Sequence, residues 1–79
     1  MKALRSSTAR AVATVLAKAR EQKGLTQRDL AQRVKRSHSV IGMIESHQRQ
    51  VNVPEFVALA EAIGVDPVEL FRRVVREGK

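Results

Sequence analysis

Residues 23–46 read KGLTQRDLAQRVKRSHSVIGMIES, and two short helices are written into them. Gly24 stops whatever helix precedes it, because a residue without a Cβ enters the left-handed region that closes a helix C-terminus at little cost. Thr26 followed by Asp29 is a capping-box-like start, so a helix is predicted over Thr26 to Val34 with Leu30, Ala31 and Val34 facing inward. After Lys35 and Arg36, the Ser37 hydroxyl is placed to accept a bond from an orphan backbone N–H, which predicts a further helix to about Ser46.

Upstream of this stretch, Val12, Val15, Leu16 and Ala19 recur at i, i+3, i+4 and i+7, the apolar stripe of a helix from about Thr8 to Gln22. Downstream, Asn52, Pro54 and Glu55 give a cap, an early proline and an acid in the first turn. Phe56, Leu59, Ala60 and Ile63 repeat the stripe, and Gly64 ends it. Asp66, Pro67 and Glu69 open a last helix to about Arg76. Period-2 alternation is not sustained anywhere, so the expected fold class is all-α, five short helices. A chain of 79 residues is expected to form a single domain.

The charge is uneven. The formal net charge is +7, but residues 1–50 hold 11 Lys and Arg against 3 Asp and Glu, whereas residues 51–79 hold 4 against 5. The first half is therefore the half that faces a polyanion. Cysteine is absent, which excludes a disulfide framework and thiolate metal sites and favours an intracellular setting. The charged stretch from Met1 to Arg10 leads into no continuous apolar segment, so neither a targeting signal nor a membrane span is expected.

Two short helices joined by a tight turn, the second with an outward polar face in basic surroundings, have the form of a DNA-reading helix-turn-helix. At about 100° per residue from His38, the residues Ser39, Gly42, Met43 and Ser46 share an arc of roughly 140° with it, while Val40, Ile41 and Ile44 point the other way. The apolar trio anchors and the arc reads.

The sequence resembles the phage repressor and Cro family of helix-turn-helix regulators (XRE-like) over about residues 10–71. The resemblance is carried by Lys23-Gly24-Leu25-Thr26-Gln27, Leu30-Ala31, Ser37, Ile41, Ile44-Glu45 and Ala60-Glu61-Ala62-Ile63-Gly64-Val65-Asp66-Pro67. It implies a five-helix repressor-like domain of bacterial or phage origin, acting in the cytoplasm on duplex DNA. It also implies a scaffold pair between Arg20 and Glu45, phosphate clamping at Gln27, and a backbone-tracking loop through Ser46, Gln48 and Arg49. The chain departs from these relatives in carrying Gly42 and Met43 where polar or basic residues are common, and Lys35 and His47 where glycine is common.

A helix in the major groove offers its N-terminal residues to base edges, which makes His38, Ser39, Gly42 and Met43 the base-reading candidates. His38 donates or accepts according to tautomer, Ser39 does either, and Met43 suits a thymine methyl. Gly42 has no group to offer; in a helix it costs about 0.5–1 kcal/mol relative to alanine, and close approach to DNA is the use expected of it. Phosphate contacts are expected from Gln27 and Arg28 at the start of the second helix, where free N–H groups favour an anion, and from Lys35, Arg36, Ser46, Gln48 and Arg49.

Other chemistries lack their residues. His38 and His47 lie nine apart with no cysteine and no acid pair nearby, so no metal site, cofactor or catalytic constellation is expected. Tyr and Trp are absent, and Phe56 and Phe71 fall on core stripes, which disfavours stacking on single strands. In the last helix Val68, Leu70, Phe71, Val74 and Val75 make a stripe broader than so small a domain is expected to cover, so a homodimer interface is expected there. The alternative is an antitoxin-type module in which residues 65–79 bind a toxin partner.

Overall fold

Nearly every helix begins beside a side chain that accepts from an otherwise unpaired N–H. The computed structural model describes residues 6–79, so residues 1–5, which open the charged N-terminal stretch, lie outside it. The elements are α1 (Ser7–Gln22), α2 (Gln27–Arg33), α3 (His38–Glu45), α4 (Val53–Ile63) and α5 (Pro67–Glu77), with no strand among the described residues. Ser6 Oγ accepts from the Ala9 N–H at 3.0 Å, Asn52 Oδ1 from Glu55 at 2.8 Å and Asp66 Oδ1 from Val68 at 2.8 Å. Thr26 and Asp29 complete both halves of a capping box, at 3.0 and 2.9 Å, so Thr26 caps α2 from outside it.

The expected cap of α3 is different. Ser37 has the extended backbone of an N-cap but makes no side-chain bond to the helix; its Oγ lies 3.1 Å from Ser39 Oγ instead. One hydroxyl donates to the other, and the first turn of α3 keeps its N–H groups unclaimed by side chains. α3 also ends at Glu45, with Ser46 as its C-cap.

Two helix ends close through glycine, Gly24 at φ +72° and Gly64 at φ +95°. The two turns that bracket α3 close without it: Lys35 has φ +58° and His47 φ +66°. These are the positions where glycine is common in the resembling family, and an L-residue there costs about 1–2 kcal/mol through the crowding of its Cβ.

The core is one cluster to which every helix contributes. Val15, Leu16 and Ala19 come from α1, Leu30 and Ala31 from α2, Ile41 and Ile44 from α3, and Phe56, Leu59, Ala60 and Ile63 from α4. α1 packs on α3, α4 and α5, and α2 lies mainly on α3. At the far end of α1, Ser7 Oγ donates to the Gly78 carbonyl at 2.7 Å. A Cβ on Gly78 would stand 3.0 Å from Thr8 Cα, so the end of α5 sits directly on the start of α1.

The apolar stripe of α5 divides in two. Leu70 and Val74 are 1% and 0% exposed and belong to the core, so neither is available to a partner. Their i, i+4 spacing puts both on the face of α5 turned to the core. Val68, Phe71 and Val75 remain exposed.

Candidate nucleic-acid interface

α3 is held from below by two side chains. Ile41 and Ile44 are buried and Val40 is partly buried against the core, which turns His38, Ser39 and Met43 outward. Gly42, on the same arc, is half-buried, and the nearest atom to a Cβ built on it is Gln27 Oε1 at 3.5 Å. The glycine therefore lies under a side chain of α2 rather than in open space.

Glu45, the last residue of α3, joins three helices. Arg20 Nε donates to its Oε2 at 2.7 Å and Arg20 Nη2 to its Oε1 at 3.0 Å, a bidentate pair between side chains only 10% and 9% exposed. Arg20 Nη1 donates to the Leu25 carbonyl at 2.6 Å. Gln27 Nε2 adds a bond to Glu45 Oε1 at 2.9 Å. The Glu45 hydrogen bond raises the Arg20 pKa above its ordinary value, against the opposing effect of burial. The end of α1, the start of α2 and the end of α3 are thus fixed to one another.

A second acid, which sequence reading treats only as a first-turn residue, organises the other side of α3. Glu55 of α4 accepts from Arg49 Nη1 at 2.8 Å and Nη2 at 3.0 Å, and Arg36 Nη2 lies 3.4 Å away. The Arg49 hydrogen bonds hold the Glu55 carboxyl below the usual carboxylate range, overcoming partial burial, with the Arg49 and Arg36 charges acting in the same direction. The turn before α3 and the loop after it are tied to one point on α4. Arg33, also unremarked in the sequence, donates to the Ala62 carbonyl at 2.9 Å and joins α2 to the end of α4.

Arg28 and Lys35 are exposed and have no carboxylate partner among the described residues. Gln48 Nε2 donates to Ser46 Oγ at 3.0 Å, and Ser46 Oγ donates to the Met43 carbonyl at 3.3 Å, which orders the loop leaving α3. Gln27, expected at phosphate, gives one of its two amide N–H groups to Glu45.

On a different face, Val12, Val51, Val53, Phe56, Val57, Pro67, Val68 and Phe71 line an open apolar groove of about 370 Å³. The Phe56 and Phe71 rings meet edge to face at 6.3 Å. Among the described residues no group of three or more His, Asp or Glu side chains is arranged to hold a metal ion, and no helix is long and apolar enough to cross a membrane.

Comparison with known proteins places this geometry. The sequence model of the helix-turn-helix family matches residues 16–70. An XRE-family-like protein from Pseudomonas syringae pv. tomato str. DC3000 is 32% identical, with 87% of this chain and 84% of that chain aligned at a TM-score of 0.81. The restriction-modification controller protein C.Esp1396I, solved as a tetramer in complex with its natural 35 base-pair operator, is 26% identical over 94% of this chain and 96% of that one, at a TM-score of 0.82. The clp gene regulator ClgR from C. glutamicum, at 20% identity and a TM-score of 0.81 over 87% of this chain and 90% of that one, shares the fold. Comparison with curated proteins gives no match. The chain belongs to the XRE family of helix-turn-helix proteins and is a DNA-binding transcription regulator.

Proposed function

We propose that the protein is a repressor that binds duplex DNA as a two-fold homodimer, each α3 entering the major groove of one half of a near-palindromic operator. The observation that carries this reading is the outward face of α3, where His38, Ser39 and Met43 stand exposed on a helix anchored by Ile41 and Ile44. These three side chains read base edges. Arg28, Lys35, Arg36, Ser46, Gln48 and Arg49, on the segments before and after α3, contact phosphates and set its register on the duplex. Arg36 and Arg49 do so from positions fixed by Glu55, which lowers the entropy lost on binding.

The second copy covers the apolar groove between α4 and α5. Val53, Val68 and Phe71 are 77%, 62% and 55% exposed, and contiguous exposure of this kind marks an interface. Multiple copies of the controller protein on one operator support the same reading. The whole chain then acts as one domain in the cytoplasm, repressing by occupying DNA, with no catalytic step and no cofactor.

A mobility-shift titration with the DNA upstream of its own gene, paired with sedimentation of the complex, tests the proposal. Two copies per duplex, with tight binding lost when half a helical turn is inserted between half-sites about 34 Å apart, are expected. A complex of one copy per duplex contradicts it.

A further inference from the structure

One polar group beside the reading face is unused by these contacts, the amide oxygen of Gln27. Gln27 is the first residue of α2, and its Nε2 bonds to Glu45 Oε1. A carboxylate only accepts, so the amide must turn its nitrogen to Glu45, and its orientation is fixed by that chemistry. Its oxygen then faces Gly42, 3.5 Å from where a Cβ would stand. Glu45 cannot swing away to release the amide, because both its oxygens are also held by Arg20, and Arg20 is held by the Leu25 carbonyl. Gln27 is therefore ordered before any ligand arrives, and little side-chain freedom is lost when it binds one.

Gly42 sits inside the reading arc, roughly 40° round the helix from His38. Any longer side chain there would cover the Gln27 oxygen; glycine leaves it open. We infer that Gln27, a residue of α2, reads a base through the gap that Gly42 leaves in α3. This inference rests on the reading that α3 enters the major groove. One of its two N–H groups is bonded to Glu45, and the oxygen, which faces Gly42, is the group presented to the gap, an acceptor. The matching groups in the major groove are the exocyclic amines, N6 of adenine and N4 of cytosine. Thymine O4 and guanine O6 would set acceptor against acceptor. The α2 side chain thus supplies the base contact that residue 42 itself lacks, and it discriminates amine-bearing from carbonyl-bearing bases at one position per half-site.

The test is selection from a randomised duplex DNA library with the wild type, Gln27→Met and Gly42→Leu, each checked for folding by circular dichroism. Gln27→Met keeps the length and removes the amide; Gly42→Leu keeps the amide and covers it. The wild type is expected to favour A or C over G or T at one position per half-site by at least about fivefold, the equivalent of one good base contact. Both variants are expected to lose that preference, Gly42→Leu with a loss of overall affinity as well, because its side chain stands in the reading arc. If Gln27→Met weakens all sequences alike and leaves every base preference in place, Gln27 contacts a phosphate and the inference is overturned; the salt slope stays unchanged in that case, because a neutral amide releases no counterion. Unchanged preferences in both variants overturn it as well. A wild type that enriches no sequence from the library removes the major-groove reading together with this inference, an outcome distinct from the other two.

Discussion

Arg20 and Glu45, separated by 25 residues, meet in a bidentate pair that closes α1 onto the end of α3. Both side chains are about nine-tenths shielded, so the loss of one leaves the other's charge with little water to compensate it. Arg20→Ala is expected to destabilise by about 3 kcal/mol, the lower end for breaking a buried pair. Melting temperature and DNA affinity should fall together, because Glu45 also holds Gln27. A melting curve indistinguishable from wild type would show that the pair has no structural role.

The left-handed turns on either side of α3 reverse the usual ranking of alanine and glycine. At Lys35 and His47 a glycine variant should be more stable than the alanine variant by about 1 kcal/mol, since only the former escapes the Cβ clash at positive φ. At Gly42 the order should invert: a Cβ there meets only the Gln27 oxygen at ordinary contact distance, so Gly42→Ala should gain about 0.5–1 kcal/mol. Urea denaturation of the paired variants measures all three differences.

Glu55 makes stability depend on acid. Its folded carboxyl titrates below the ordinary value of 4.5, chiefly through the Arg49 hydrogen bonds. A depressed carboxylate pKa contributes stability that is complete above the unfolded value and lost as pH falls through the folded one. Asp29, lowered by its bonds to Thr26, acts in the same direction. Stability measured by denaturant titration should therefore be level in Glu55 terms above about pH 5 and decline below it. Glu55→Gln should be less stable at pH 7 and show a shallower decline. An equal decline in wild type and variant would remove Glu55 as a contributor.

Much of this architecture was legible because it is local. The stripes of Val15, Leu16 and Ala19 and of Phe56, Leu59, Ala60 and Ile63 need only helical periodicity, and the caps at Thr26, Asn52 and Asp66 act within three residues. What sequence reading missed depends on partners far along the chain. The five apolar residues of α5 form one stripe in sequence, and only the position of the neighbouring helices separates buried Leu70 and Val74 from exposed Val68, Phe71 and Val75. Ser37 is a local exception: it has a cap residue's identity, but Ser39, two residues on, takes its hydroxyl. Gln27 meets Glu45 across 18 residues, and no local pattern announces Glu55 as the common partner of Arg36 and Arg49.

That division of α5 yields opposite phenotypes from adjacent residues. Val68→Asp and Phe71→Asp should shift sedimentation toward monomer while leaving the fold intact. Leu70→Ala should instead lower stability by about 2–5 kcal/mol, the cost of a cavity in a packed core. Wild-type protein that stays monomeric at concentrations saturating its DNA would rule out the dimer face.

In the proposed binding mode the outward face of α3 reads base sequence. Its most direct test is the per-position base preference of the His38→Ala, Ser39→Ala, Met43→Ala triple variant, measured against wild type on randomised duplexes at one salt concentration. Direct readout predicts that preference collapses at the positions facing α3 while sequence-independent binding, carried by Arg28, Lys35 and their neighbours, persists. An unchanged preference profile with only a uniform loss of affinity would contradict it.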